Sequence, residues 1–299
     1  MTVHYKGKCI PCVNVKCNVP IETKRNKQQP LLVMQGFSES IEIDGDIGIA
    51  NFVEYWTKNL KNYRPISNDE LKIIIDTKGG TVKEAKLLKY FETTDLNSEN
   101  IKLLDYQNDF YIAQSGLLHD KNSNKKNENE LAPNHHDLFK VKSKKDDSII
   151  LEWTNAKQDI TVFKKIHLDN AGYKINIEHT IINKSKKAWS GRQYRQIRRK
   201  STGEGRSWVT PTFTGGAFYD GTYNKISYSE ISEKKPKFNV QSGWVAMMEH
   251  YFVSAWFFPK DENNLFYTKE IYVDESRSDF IIGARSEAAL VQPGESANL

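Results

Sequence analysis

From residue 71 onward the sequence predicts an all-β sandwich. Short runs rich in β-branched and aromatic residues recur more than ten times. Clusters of Asn, Asp, Gly and Lys separate them, and no helical periodicity intervenes, which is the pattern of packed antiparallel sheets. The 299 residues are 38% apolar and 11% aromatic, enough to fill a sizeable core and too apolar for a disordered chain. That length permits one large β domain or two ordinary ones.

Residues 1–65 differ in style and are left as an unassigned N-terminal segment, poorly ordered in expectation. They hold all three cysteines (Cys9, Cys12, Cys17) and a polar run from Glu22 to Pro30. Phe52, Val53, Trp56 and Leu60 follow at helical spacing, with Asn51 placed as an N-cap, so one short N-terminal helix is expected here.

The strands then follow in order. In LKIIIDT, Leu71, Ile73 and Ile75 share one face. EAKLLKYF (84–91) reads as a strand because Gly79-Gly80 just before it suits a hairpin-type turn. IKLLDY, FYIAQSG, SIILEWT, DITVFKKIHL, YKINIEHTIIN, WVTPTFTG, KISYSEI, YFVSAWFF, NLFYTKEIYV and DFIIGA complete the set. Between them, residues 119–137 are rich in Asn, Lys and Glu, and are expected to form a mobile excursion because so polar a stretch buries little. No internal repeat is visible.

The net charge is +5, and it is unevenly placed. Residues 184–206 hold nine Lys and Arg against Glu204 alone, leaving the rest slightly acidic. Two readings stand side by side. One is a solvated basic loop. The other is a stripe that attracts anionic lipid headgroups or nucleic acid, with Arg192, Arg195, Arg198, Arg199, Lys200 and Arg206 as candidate contacts. Trp189, Tyr194 and Trp208 interleave the charges, but no RNA-binding signature is present, so nucleic acid is not expected.

Catalytic and metal signatures are weak. Cys9-x2-Cys12-x4-Cys17 with His4 supplies zinc-type ligands, but the spacing matches no closed pattern and a second CxxC is missing; free thiols and no metal are expected. His135-His136-Asp137 reads as loop composition, and His167 and His179 as half-buried strand residues. TGEGR (202–206) lacks the spacing of a phosphate loop. Glu178, Glu230, Glu249 and Glu270 stand isolated. No catalytic residue or cofactor is expected, and the chain is read as a non-enzyme.

Five segments, in this order, carry a family resemblance: LKIIIDTKGGTVKEAKLLKY, IKLLDYQNDFYIAQSGLL, the GGAFY turn, GWVAMMEHYFVSAWFFP, and LVQPGES. Together, over residues 66–299, they resemble the first periplasmic domain of the YidC family of bacterial membrane protein insertases. The resemblance implies a β-supersandwich similar to galactose mutarotases. It also implies a place on the periplasmic face of the inner membrane, and assistance to membrane protein insertion and folding, alone or with the Sec translocon. Nascent membrane proteins and Sec components are the implied partners, with an anionic lipid surface as a further one. A sugar-binding or aldose-epimerase-like protein of the same architecture is the alternative. No window approaches the roughly 20 apolar residues of a membrane helix. The start, MTVHYKGKCIPC, shows no signal-peptide core. Against the family pattern, the chain is expected to be C-terminally incomplete and to lack the membrane bundle.

Overall fold

The computed structural model describes residues 62–299 apart from 96, 121–131, 158, 202–212 and 250, together with four short strands nearer the N-terminus. The chain divides into two compact units, Met1–Lys61 and Asn62–Leu299. With strands numbered in chain order, the first unit contains β1 (Thr2–Tyr5) paired with β2 (Lys8–Pro11), and β3 (Lys16–Cys17) paired with β4 (Met34–Gln35). The helix expected over Phe52–Leu60 and the side chains of Cys9, Cys12 and Cys17 lie outside the described residues.

The second unit is built on three antiparallel sheets. The largest has ten strands: β5 (Tyr63–Ser67), β6 (Leu71–Asp76), β7 (Thr81–Phe91), β8 (Asn100–Asp105), β9 (Tyr111–His119), β14 (Trp189–Lys200), β17 (Lys237–Gln241), β20 (Asn263–Asp274), β21 (Arg277–Ser286) and β22 (Ala289–Val291). Its order is β17-β20-β21-β14-β9-β7-β6-β5, with β22 also on β14 and β8 on β7. A five-stranded sheet runs β10 (Lys140–Lys144), β11 (Ser148–Asn155), β12 (Ile160–Leu168), β13 (Ile175–Asn183) and β23 (Ser296–Asn298). A four-stranded sheet has the order β16 (Tyr223–Ile226), β15 (Gly215–Tyr219), β18 (Trp244–Met248) and β19 (Val253–Phe257). The second unit is thus an all-β supersandwich, and EAKLLKYF is a strand as expected, lying within β7.

Period-2 alternation decides which side chains enter the core. In β12, Ile160, Val162, Lys164, Ile166 and Leu168 are buried while the residues alternating with them are half-exposed. The core forms two apolar clusters. One contains Ile73, Ile75, Leu151, Ile166, Phe266 and Ile282; the other contains Leu117, Ile160, Val162, Ile181, Trp189 and Val291.

Three sequence expectations need correction. KISYSEI is a strand only at its start; Tyr228–Lys234 is a helix, α1. Ser227 and Glu230 cap it reciprocally: Glu230 N donates to Ser227 Oγ at 3.2 Å and Ser227 N to Glu230 Oε2 at 3.0 Å. Tyr228 and Ile231, one turn apart, are its buried face, and Tyr228 stacks on Phe280. Secondly, the far end of the polar stretch 119–137 is anchored. Ala132 is buried, Leu117 N donates to Pro133 O at 2.9 Å, and Gly79 N donates to Asp137 O at 2.7 Å. Thirdly, residues 189–200 of the basic segment are not a solvated loop. They form β14, bonded to β9 on one side and to β21 and β22 on the other.

Candidate functional site

β14 runs through the middle of the largest sheet, and its two faces meet different surroundings. Gln193, Arg195, Ile197 and Arg199 point one way. There Gln193 meets His179 of β13, while Arg199 meets Glu249 just beyond β18. Tyr194, Gln196 and Arg198 point the other way and build a polar patch with residues of β9, β20 and β21.

The centre of that patch is a hydrogen-bonded row. Gln196 Nε2 donates to Gln114 Oε1 at 2.8 Å, and Tyr267 Oη donates to Gln196 Oε1 at 2.8 Å. Beside it Tyr194 Oη accepts from His135 N at 2.9 Å and lies 2.5 Å from His135 Nδ1. Burial pulls the His135 imidazole down to about 4, with His136 and Arg198 adding to the effect. Burial also pushes both the Tyr194 and Tyr267 phenols upward. At neutral pH the imidazole is therefore neutral and the phenol keeps its proton; Tyr194 Oη accepts from the His135 backbone and shares a hydrogen bond with Nδ1 whose direction follows the imidazole tautomer. Gly116 makes this possible: a Cβ there would stand 2.7 Å from Tyr194 Oη and 2.9 Å from the ring. The ring needs that bare stretch of β9 to lie across.

The basic residues singled out from sequence do not form a shared surface. Arg192 pairs with Asp120. Arg195 Nη2 is 3.0 Å from Glu262 Oε1, Arg198 Nη2 2.6 Å from Asp279 Oδ2, and Arg199 Nη2 2.6 Å from Glu249 Oε1. Lys200 Nζ is 3.4 Å from Asp109 Oδ1, and Arg206 lies outside the described residues. Asp279 is fully buried and also accepts from Arg277 Nε at 2.7 Å. Burial pushes the Glu249 carboxyl up, and the Arg199 guanidinium opposes that push. Arg198 and Arg199 lie over Phe110 and Tyr111, each 4.8 Å from the ring centre. The alternation of β14 sends successive charges to opposite faces, so the segment's density of charge does not become a one-sided stripe.

The remaining sequence candidates also disperse. His167 Nδ1 is 3.9 Å from Glu178 Oε1 on the outer face of the five-stranded sheet, opposite the face that packs on the core. Glu230 serves the α1 cap. His179 is fully buried. Among the described residues no cluster of three His, Cys, Asp or Glu side chains has the geometry to hold a metal. The residues that do converge (Gln114, His135, Tyr194, Gln196, Tyr267) come from a polar loop and three strands; the available signal was polar residues at inward positions of otherwise apolar strands. Such a set of amides, phenols and a neutral imidazole can hydrogen-bond a polar group.

Fold and site together define a β-supersandwich domain whose central sheet carries a polar, internally satisfied patch. Comparison with known proteins places it more closely. Residues 64–299 match the family described as YidC periplasmic domain, and the chain belongs to that family. It is similar to the membrane protein insertase YidC of Thioalkalivibrio sulfidiphilus, 38% identical over 238 residues, covering 77% of this chain and 42% of that protein. The corresponding protein of Methylococcus capsulatus is 32% identical over 246 residues, covering 78% of this chain and 43% of that protein. The chain thus spans less than half the length of these curated relatives. Among solved structures, a galactose mutarotase related enzyme from Lactobacillus acidophilus is 10% identical with a TM-score of 0.48, covering 79% of this chain and 94% of that one. Among the described residues, no helix is long and apolar enough to cross a membrane.

Proposed function

We propose that this chain works as the periplasmic domain of a YidC-type insertase, assisting insertion and folding of inner-membrane proteins, alone or beside the Sec translocon. The observation that carries this reading is the family match across residues 64–299. In this reading residues 66–299 are the functional domain at the periplasmic face of the inner membrane, residues 1–65 lie outside it, and the membrane bundle belongs to a part of the protein not contained in this chain. The domain acts as a docking module without catalysis. Support comes from a patch whose polar groups bond one another, and from exposed apolar side chains around the four-stranded sheet. Tyr251 is 83% exposed, Phe257 72% and Val253 54%. Nascent membrane proteins are the proposed clients, with Sec components as neighbours. The β14 cations serve the fold in this reading, and headgroup contact falls to other residues.

The test joins this chain to an intact YidC membrane bundle and places a photo-crosslinking residue at Phe257. In cells depleted of their own YidC, the fusion is expected to restore membrane protein insertion and to yield adducts with nascent inner-membrane proteins or Sec components. Failure to restore insertion, with no such adduct from Phe257 or from a second probe at Tyr251, would overturn the reading.

A further inference from the structure

A polar seam separates the two apolar clusters. On β12, alternation forces Lys164 inward between Val162 of one cluster and Ile166 of the other. On β13, its registered partner His179 lies between Ile177 and Ile181. Both side chains are fully buried. Lys164 Nζ donates to Gly79 O at 2.8 Å and to Ser115 O at 2.9 Å, bridging the five-stranded sheet to the largest one. Its stem fits because residue 80 is glycine, where a Cβ would stand 2.8 Å from Lys164 Cδ.

The seam closes into a circuit. Ser115 is the registered partner of Arg195. Arg195 Nε donates to Gln193 Oε1 at 2.7 Å, which fixes the amide so that Gln193 Nε2 faces His179 Nδ1 at 2.8 Å. An amide nitrogen only donates, so Nδ1 accepts and the imidazole proton sits on Nε2. The buried His179 Nε2, Arg195 Nη1 and Ser115 Oγ have no hydrogen-bond partner within the protein. Apart from the Ser115 hydroxyl, the side-chain acceptors of the circuit are engaged, Gln193 Oε1 and Glu262 by Arg195, and the carbonyls of Gly79 and Ser115 each take one Lys164 proton.

What is left over is a surplus of donors beside two basic side chains, balanced by Glu262 alone. A bound water would have to place its own protons on the few acceptor sites left among these donors, whereas an anion only accepts. We propose that this seam is a binding site for a small monovalent anion, with chloride the natural occupant, held by His179 Nε2–H, Arg195 Nη1–H, the Ser115 hydroxyl and the remaining Lys164 proton. The anion bridges the two sheets where apolar packing is interrupted, and it leaves the exposed surface free for partners.

The test uses the full chain. Thermal unfolding is followed at constant ionic strength in sodium chloride, sodium bromide and sodium gluconate, for the wild type and for Ser115→Ala and Lys164→Met. Chloride and bromide are expected to raise the wild-type midpoint over gluconate by roughly 3–6 °C more than in either variant, the shift given by a ligand at about tenfold its Kd. Should Lys164→Met fail to fold, Ser115→Ala carries the comparison. Equal anion effects in wild type and variants would overturn the proposal. Crystals grown in bromide provide a second readout. An anomalous peak within hydrogen-bond reach of His179 Nε2 supports the site, and density there without anomalous signal is water and refutes it.

Discussion

Lys164 should tie the stability of the domain to pH. Burial brings its ammonium from 10.5 down to about 7. The unfolded chain keeps the ordinary value, so below pH 7 unfolding captures a proton's worth of favourable hydration that the fold denies. For a base depressed in the folded state, this penalty is complete below pH 7 and fades as pH rises toward 10.5. Stability therefore increases with pH across that window. The full swing is about 5 kcal/mol at 1.36 kcal/mol per unit, and about 2 kcal/mol of it falls between pH 7 and pH 9. Burial pushes the phenols of Tyr111, Tyr194 and Tyr267 upward, away from this narrower range. The assay is urea unfolding at half-unit intervals from pH 7 to pH 9 in gluconate buffer, for the wild type and Lys164→Met. The wild type should gain about 2 kcal/mol more than the variant across the range. Parallel profiles would show that the ammonium is accommodated without a desolvation penalty, and the argument for a strained buried charge would fail. Removal of the amine also strands two carbonyls, so the slope is the diagnostic quantity and the absolute stability is not.

Other perturbations test the architecture independently. Gly116→Ala should destabilise the domain by about 1–3 kcal/mol in chemical denaturation, because a methyl group there collides with Tyr194. Tyr194→Phe should cost about 1–3 kcal/mol and speed amide exchange at His135, whose N–H loses its acceptor. Ser227→Ala should cost about 1 kcal/mol in the same denaturation assay by removing the cap of α1.

Most strands were legible because their alternation is local. DITVFKKIHL shows its inner face in the sequence itself, and β12 follows that pattern. The α1 helix was written in the sequence as Ser227-x-x-Glu230, a capping signal overridden by the β-like look of the preceding KISY. β14 was illegible for a different reason. Its buried positions carry arginine and glutamine, which read as surface until the partners are known. The ion-pair partners sit 50 to 91 residues away in sequence, and nothing local announces them. The polar patch was hidden in the same way: Gln114, Gln196 and Tyr267 satisfy one another only after three strands have been brought into register. His135 reads as loop composition because its anchor, Tyr194, is 59 residues away.

The pairing of β14 carries a consequence for how the chain reaches its final form. The strand lies beside β9, which precedes it, and beside β21, which follows it. Its carboxylates are divided in the same way. Asp109 and Asp120 come earlier in the chain, while Glu249, Glu262 and Asp279 come later. A polypeptide emerging from its N-terminus can neutralise Arg192 and Lys200 at once. Arg199, Arg195 and Arg198 must wait until Glu249, Glu262 and Asp279, 50, 67 and 81 residues further on, have appeared. Through that interval three guanidinium groups stay hydrated, and the central strand has no second neighbour. Closure of the largest sheet is therefore a late, long-range event with a high entropic barrier. The charges that end up buried keep the half-finished sheet soluble until β20 and β21 arrive to cover it.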